Sequence, residues 1–205
     1  NMHLKYDQIK RIFDLIFSVT SLIVFSPLIL FLVLLLYLTQ GRPIFIFQKR
    51  SGYKNKPLNV LKLRTMIEKK TDNDLTLDDN KRVTRIGYWL RKLSLDELPQ
   101  IYNIIKGEMS FIGPRPQLYK YRHLYSQEQI ARHNVLPGLS GWAQINGRNS
   151  IDWEEKFNLD VWYVDNISFL LDIRIFILTI FYVLQRKKTN NKNKLSMPPF
   201  LGYKS

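Results

Sequence analysis

The stretch LIFSVTSLIVFSPLILFLVLLLYL, Leu15–Leu38, decides the fold, because it holds no charged residue. As one straight helix it would rise roughly 36 Å, enough for a hydrocarbon core of about 30 Å. It is too long for a signal-peptide core, and no small-residue cleavage pattern follows it. Ser26-Pro27 stands near its middle. Pro27 cannot donate to the carbonyl of Ile23, so a bend is expected there. The Ser26 hydroxyl can supply a local hydrogen bond to the freed backbone. Each half, Leu15–Phe25 and Leu28–Leu38, then measures roughly 16 Å, about half the hydrocarbon thickness. The flanks are basic on both sides: Lys5, Lys10 and Arg11 before, Arg42, Lys49, Arg50, Lys54 and Lys56 after. A spanning helix normally keeps its basic loop on the cytoplasmic side alone. Charge at both ends favours a helix-break-helix hairpin over residues 12–39 that enters and leaves through one leaflet. A kinked spanning helix is the alternative, since proline is common in such helices.

Outward from that block, 205 residues leave room for one further domain. With 31 Lys and Arg against 17 Asp and Glu, the net charge is +14. Such a balance suits nucleic acid, anionic lipid or phosphorylated substrates. Beside a long apolar segment, a membrane surface ranks above nucleic acid, of which no paired Cys/His spacing or RNP-type run speaks. There is no cysteine, which excludes disulfides and Cys-based zinc sites. His3, His123 and His133 show no metal-binding spacing and read as solvated surface.

Ile44–Gln48 and Leu58–Leu63 read as short strands or extended segments around a polar turn, Ser51–Lys56. Glu68–Arg82 reads as a charged, solvated loop or helix, its acids lacking the glycine and glutamate of a calcium loop. Ile86–Lys92, Gln100–Lys106 and Leu118–His133 read as helices, and Pro137–Asn149 as a glycine-rich loop. Ile167–Leu184 is apolar but interrupted by Asp172 and Arg174, which suits an amphipathic helix in the membrane interface. The fold class is therefore mainly helical α+β: the re-entrant N-terminal hairpin, interfacial helices and a small β element. Residues 40–184 form the domain at the membrane interface, and 185–205 a basic, mobile tail.

Three stretches could carry chemistry. Arg91-Lys92-Leu93-Ser94-Leu95-Asp96-Glu97-Leu98-Pro99-Gln100 places two carboxylates at a helix start. Ser94 and Glu97 have capping-box spacing, although Pro99 disturbs that reading and the helix could begin there instead. Within Ser110–Pro116, two prolines fix the backbone around Arg115, whose guanidinium suits phosphate oxygens or a nearby acid equally. Gly138, Gly141 and Gly147, with Arg148, could let backbone amides approach an anion, or could simply form a surface turn.

Together these stretches resemble the bacterial sugar transferase family, the monotopic phosphoglycosyl transferases, from about Arg11 to Thr179. Ser26-Pro27 matches the family's re-entrant helix. Gln48-Lys49-Arg50-Ser51-Gly52 matches its Q-x-R-x-G segment, followed by Lys62-Leu63-Arg64-Thr65-Met66. Then come Leu95–Gln100, the Gly-Pro-Arg-Pro turn and the Pro-Gly-x-x-Gly-Trp loop. Departures are few: Ile46, Asn55, Tyr88 and Leu93 stand where an aromatic, a glycine, a basic residue and a threonine are frequent. The resemblance implies a ping-pong reaction in which Asp96 attacks the β-phosphate of a UDP-sugar and releases UMP. The sugar phosphate then passes to undecaprenyl phosphate. It implies Mg²⁺ beside Asp96 and Glu97, with Glu97 aiding metal placement or proton handling. Arg91, Arg115 and Arg148 would bind phosphate or the uridine end, joined by Lys62, Arg64, Pro116 and Asp172. The chain is expected to be the family's catalytic core without additional N-terminal domains, on the cytoplasmic face of the bacterial inner membrane among its phospholipids. Its expected donor is UDP-N,N′-diacetylbacillosamine, for protein glycosylation, with galactose or N-acetylhexosamine phosphate left open. The rival reading is a non-catalytic, basic membrane scaffold holding anionic lipid or a partner.

Overall fold

The computed structural model describes residues 2–67, 82–147, 151–185 and 199–202. The acidic part of the expected 68–82 loop, Arg148, and most of the expected basic tail lie outside these residues. Helix α1 runs from Met2 to Gln40 as one element with Pro27 inside it. The two halves expected from sequence are therefore not separate helices. The Ser26 hydroxyl donates to the Ile23 carbonyl at 2.8 Å, the acceptor that proline leaves without its N–H. The helix stops at Gly41, whose φ of 65° only glycine adopts freely and whose N–H bonds the Tyr37 carbonyl at 3.0 Å.

Both ends of α1 are fastened to the rest of the molecule, and its middle is bare. Near the start, Arg11 donates to the carbonyls of Ile104 and Ile105 at 2.5 and 2.6 Å. Asp14 accepts from the Ser110 hydroxyl and the Phe111 N–H at 3.1 and 3.0 Å. Near the end, Leu32 and Leu36, one turn apart on one face, are buried against Leu63 and Leu90. Between these anchorages Val19, Leu22, Ile23, Val24, Phe25, Leu30 and Phe31 are exposed.

Two small sheets follow. Strands β1 (Phe45–Ser51) and β2 (Pro57–Leu63) form an antiparallel hairpin, with Phe45 opposite Leu63 and Ser51 opposite Pro57. The open edge of β2 is closed by one side chain: the Asn103 amide accepts from Leu61 N–H at 3.0 Å and donates to the Asn59 carbonyl at 2.9 Å. Helix α2 (Arg85–Leu93) lies so close to this hairpin that a Cβ on Gly87 would fall 2.0 Å from the Thr65 carbonyl oxygen. A 3-10 helix at Leu95–Gln100 leads into α3 (Ile101–Ile105). Strand β3 (Ser110–Ile112) pairs in parallel with β4 (Gly138–Ser140), so part of the expected glycine-rich loop is a strand. Its glycine is steric: a Cβ on Gly138 would sit 2.1 Å from the Gly113 nitrogen.

The segment Leu118–His133 is not the single helix expected. It divides into 3-10 turns at Tyr119–Tyr121 and Ala131–His133 flanking a short α4, Gln127–Ile130. Ser126 forms a reciprocal capping box with Gln129 and so begins a new helix in mid-segment. The break lets Tyr121 and Tyr125 both face a cluster with Phe157 and Phe200. His133 is buried rather than solvated, at 5% exposure. A short α5 (Trp142–Ile145), then α6 (Trp153–Asp165) and α7 (Phe169–Gln185), complete the fold. One face of α7 buries Asp172 and Ile175, while Leu170, Ile177, Ile180 and Phe181 are exposed. Phe200, within the expected tail, is only 4% exposed and packs among Tyr121, Tyr125, Trp153 and Phe157.

Candidate active site

The Leu95–Gln100 turn opens with Ser94 in a left-handed conformation, φ 58°, and Ser94 makes no side-chain capping bond there. Neither carboxylate is used as a helix cap. Glu97 instead turns to Arg115, which donates to both its oxygens, and to Lys62 at 2.8 Å. Asp96, 6% exposed, meets Lys62 alone among the described residues, at 3.5 Å. Lys62 comes from β2 and Arg115 from the Gly-Pro-Arg-Pro turn, so three separated segments converge on adjacent acids.

The electrostatics separate the two carboxyls. Burial pushes Asp96 upward; Lys62 opposes the shift and the Glu97 charge adds to it. Glu97 is also buried, yet Arg115 and Lys62 hold it well below the usual carboxylate range. Burial and then Arg115 lower the neighbouring Arg50 guanidinium to about 10. Lys156, stacked over Trp153, is lowered to about 8 by burial and then by Arg115. The site is a partly buried cluster of cations with two acids at its face, an arrangement whose charge suits phosphate oxygens.

A family model described as bacterial sugar transferase matches residues 5–186. The chain belongs to that family. A Bacillus subtilis protein named as the uncharacterized sugar transferase EpsL is 46% identical over 194 residues, covering 95% of this chain and 96% of that one. The undecaprenyl-phosphate glucose phosphotransferase of Komagataeibacter xylinus is 42% identical across 83% of this chain. A UDP-N-acetylgalactosamine-undecaprenyl-phosphate N-acetylgalactosaminephosphotransferase of Aeromonas hydrophila is 36% identical across 87% of it. The chain spans only 35% and 44% of those last two proteins, which are longer.

In this sugar transferase the expected site residues divide into two groups. Asp96, Glu97, Lys62, Arg115 and the buried Pro116 lie together; Arg91 is near enough for its charge to act on Asp96, while its side chain donates to the Thr65 hydroxyl at 2.9 Å. Arg64 and Asp172 are not among the side chains brought to the two acids; both are engaged with α1. The Arg64 guanidinium donates to the carbonyls of Gln40, Gly41 and Arg42, which end α1 and would otherwise lack partners. Asp172 binds Tyr6, Lys10 and Tyr163, joining α7 to the start of α1. Arg148 lies outside the described residues.

Sequence reasoning passed over Arg132, Asp160 and Lys156, because scattered charges in polar segments carry no local signal of burial. Arg50 was within reach, since it stands inside the Gln48–Gly52 motif. Among the described residues no three His, Asp or Glu side chains converge into a ready-made metal cage. Mg²⁺ commonly takes one or two carboxylates and completes its shell with water and substrate phosphate. Asp96 fits that role. Glu97, with both oxygens engaged by cations, fits it less well.

Proposed function

We propose that this sugar transferase moves a sugar 1-phosphate from a UDP-sugar to undecaprenyl phosphate, with Asp96 as nucleophile. The activities named for the Komagataeibacter and Aeromonas relatives support the reaction class. The observation that carries Asp96 is the unequal engagement of the two acids. Glu97 is clamped by Arg115 and Lys62, whereas Asp96 keeps a carboxylate oxygen clear of any cation at close range.

An Asp96 oxygen attacks the β-phosphorus of the donor. The bond from that phosphorus to the bridging oxygen breaks, and UMP leaves with the bonding electrons. An oxygen of undecaprenyl phosphate then attacks the phosphorus held on Asp96, freeing the carboxylate and giving a lipid diphospho-sugar. Lys62 and Arg115 stabilise the negative charge gathered around the phosphoryl group. Glu97 holds those two cations in place and keeps them from neutralising Asp96 directly. Mg²⁺, held by Asp96 with Glu97 beside it, would supply further neutralisation of phosphate charge.

The acceptor is a lipid phosphate, and α1 suits it. A spanning helix would carry Arg11 and Gln40 to opposite faces of a bilayer about 30 Å thick. One domain holds both ends, through Ile104 and Ile105 at the start and Arg64 at the end. That favours a re-entrant α1 whose bare middle enters one leaflet, with α7 lying in the interface and the site on the cytoplasmic face of the inner membrane.

The test is UMP release from a panel of UDP-sugars with undecaprenyl phosphate and Mg²⁺. UDP-glucose, UDP-N-acetylgalactosamine and UDP-N,N′-diacetylbacillosamine belong in that panel; the last would place the chain in protein glycosylation. Asp96→Asn should abolish release, and intact mass with donor alone should reveal a sugar-phosphate adduct on the unsubstituted protein. Full turnover by Asp96→Asn would sink the mechanism, and absence of release with every donor would leave the scaffold reading.

A further inference from the structure

The turn Gly113-Pro114-Arg115-Pro116 contains two residues without an N–H, so its own backbone can do little to hold its shape. Its carbonyls are held from outside, one after another. The Pro114 carbonyl accepts from Gly138 N–H at 3.0 Å and the Gln117 carbonyl from Ser51 N–H at 2.9 Å. Between them, the Arg115 carbonyl accepts from Arg132 Nη2 at 2.8 Å, and the Pro116 carbonyl from Arg50 Nη1 at 3.1 Å. Both guanidiniums are themselves fixed. Arg50 also donates to Gln48 Oε1 at 2.6 Å. Arg132 is paired with Asp160 on α6 at 2.5 Å, both side chains 1% exposed, and lies over the Phe157 ring.

We infer that Arg50 and Arg132 are positioning residues for Arg115: by gripping successive carbonyls of the prolyl turn, they hold its guanidinium against Glu97. Neither needs to touch the donor. Burying two more cations beside Arg115 is electrostatically unfavourable, and glutamine, with one short amide, cannot grip the turn and a second anchor at once as Arg50 does. What a guanidinium adds is a rigid fork that reaches the turn while anchored to a second group, Gln48 or Asp160. Loss of either grip leaves a buried carbonyl unpaired and lets Arg115 drift. A displacement of about 1 Å can cost roughly 100-fold in rate.

This inference rests on the transferase reading, and the experiment separates the two. Adduct formation on Asp96 is followed in single turnovers with a UDP-sugar that the unsubstituted protein accepts, so that slow variants remain measurable. Arg50→Gln should slow the step by about 10- to 100-fold while the donor concentration giving half the maximal rate moves less than about threefold. Arg50→Lys, which can still reach one carbonyl, should recover part of the rate. In an Arg115→Lys background, Arg50→Gln should cost less than about twofold, because its effect passes through Arg115. Arg132→Lys is the second probe, read alongside thermal melting to separate lost rate from lost fold. Fully additive losses would overturn the positioning role, as would a weakened donor affinity with an unchanged rate or a deficit explained wholly by unfolding. An unsubstituted protein that forms no adduct with any donor overturns the transferase reading itself.

Discussion

At the scale of single residues, the site depends on how two adjacent carboxyls share two cations, Lys62 and Arg115. Glu97 occupies Arg115 and Lys62, so Glu97→Gln leaves two half-buried cations facing Asp96 alone. Breaking such a pair from one side costs about 1–3 kcal/mol, less than for a fully buried pair because Arg115 reaches solvent. The variant should melt earlier and release UMP on the order of 100-fold more slowly, while the Asp96 carboxyl titrates lower for want of its negative neighbour. UMP assays and melting curves on the same preparation check both. His133 supplies a second prediction. Its Nδ1 faces the Ile130 carbonyl at 3.2 Å, and burial, with Arg132 beside it, lowers its pKa to about 3. The unfolded chain binds that proton near pH 6.5, so the stabilisation is complete above about 6.5 and is lost as pH falls toward about 3. Replacing His133 with glutamine should flatten the acid limb of melting temperature against pH, measured between about pH 4 and 7. An unchanged limb would mean that other groups govern it.

At the scale of elements, close backbone approaches set the placement of the acids. Gly87→Ala would drive a methyl group into the Thr65 carbonyl and push α2 off the β1–β2 hairpin. Thr65 also receives Arg91, so the same shift disturbs the site. The expected cost is about 3 kcal/mol of stability, read from denaturant melts, with slower UMP release. The strands and the run Ile86–Lys92 were legible in the sequence because their signals are local; the structure adds that Thr84 accepts from the Gly87 N–H as the N-cap of α2. The segment Leu118–His133 was not, because its path is dictated by Tyr121 and Tyr125 reaching a distant aromatic cluster. Ser94 misled in the opposite direction: its spacing to Glu97 suits a cap, but two cations from remote segments claim that glutamate. Asp96 and Glu97 themselves were legible through the family motif, not through any local physical rule. Arg64 and Asp172 stand in similarly suggestive company and prove to brace α1.

At the scale of the whole molecule, α1 is the part that, under the proposed function, would bring a lipid acceptor to a water-borne donor. Pro27 removes one backbone N–H, and Ser26 covers the resulting vacancy at Ile23. Pro27→Ala would restore the ladder and favour a straight rod. Such a rod should trade anchorage at one end for a full crossing of the bilayer. In Met2→Cys protein, an impermeant thiol reagent added outside the cell should leave residue 2 unlabelled, whereas adding Pro27→Ala should raise labelling severalfold. Labelling without the proline change would refute the re-entrant reading. The sequence already offered the proline and the basic flanks. It could not reveal that one domain grips both ends, because those grips join residues far apart in the chain, Arg11 to Ile104 across 93 positions and Arg64 to Gln40 across 24.

The docking of Phe200 bears on anyone who shortens this protein for study. Cutting before residue 199 would open a greasy socket lined by Tyr121, Tyr125, Trp153 and Phe157. That socket adjoins the Arg132 side chain, which lies over the Phe157 ring. A trimmed version would therefore aggregate or lose activity for reasons unrelated to the apolar helix α1, and a safer boundary lies beyond Gly202.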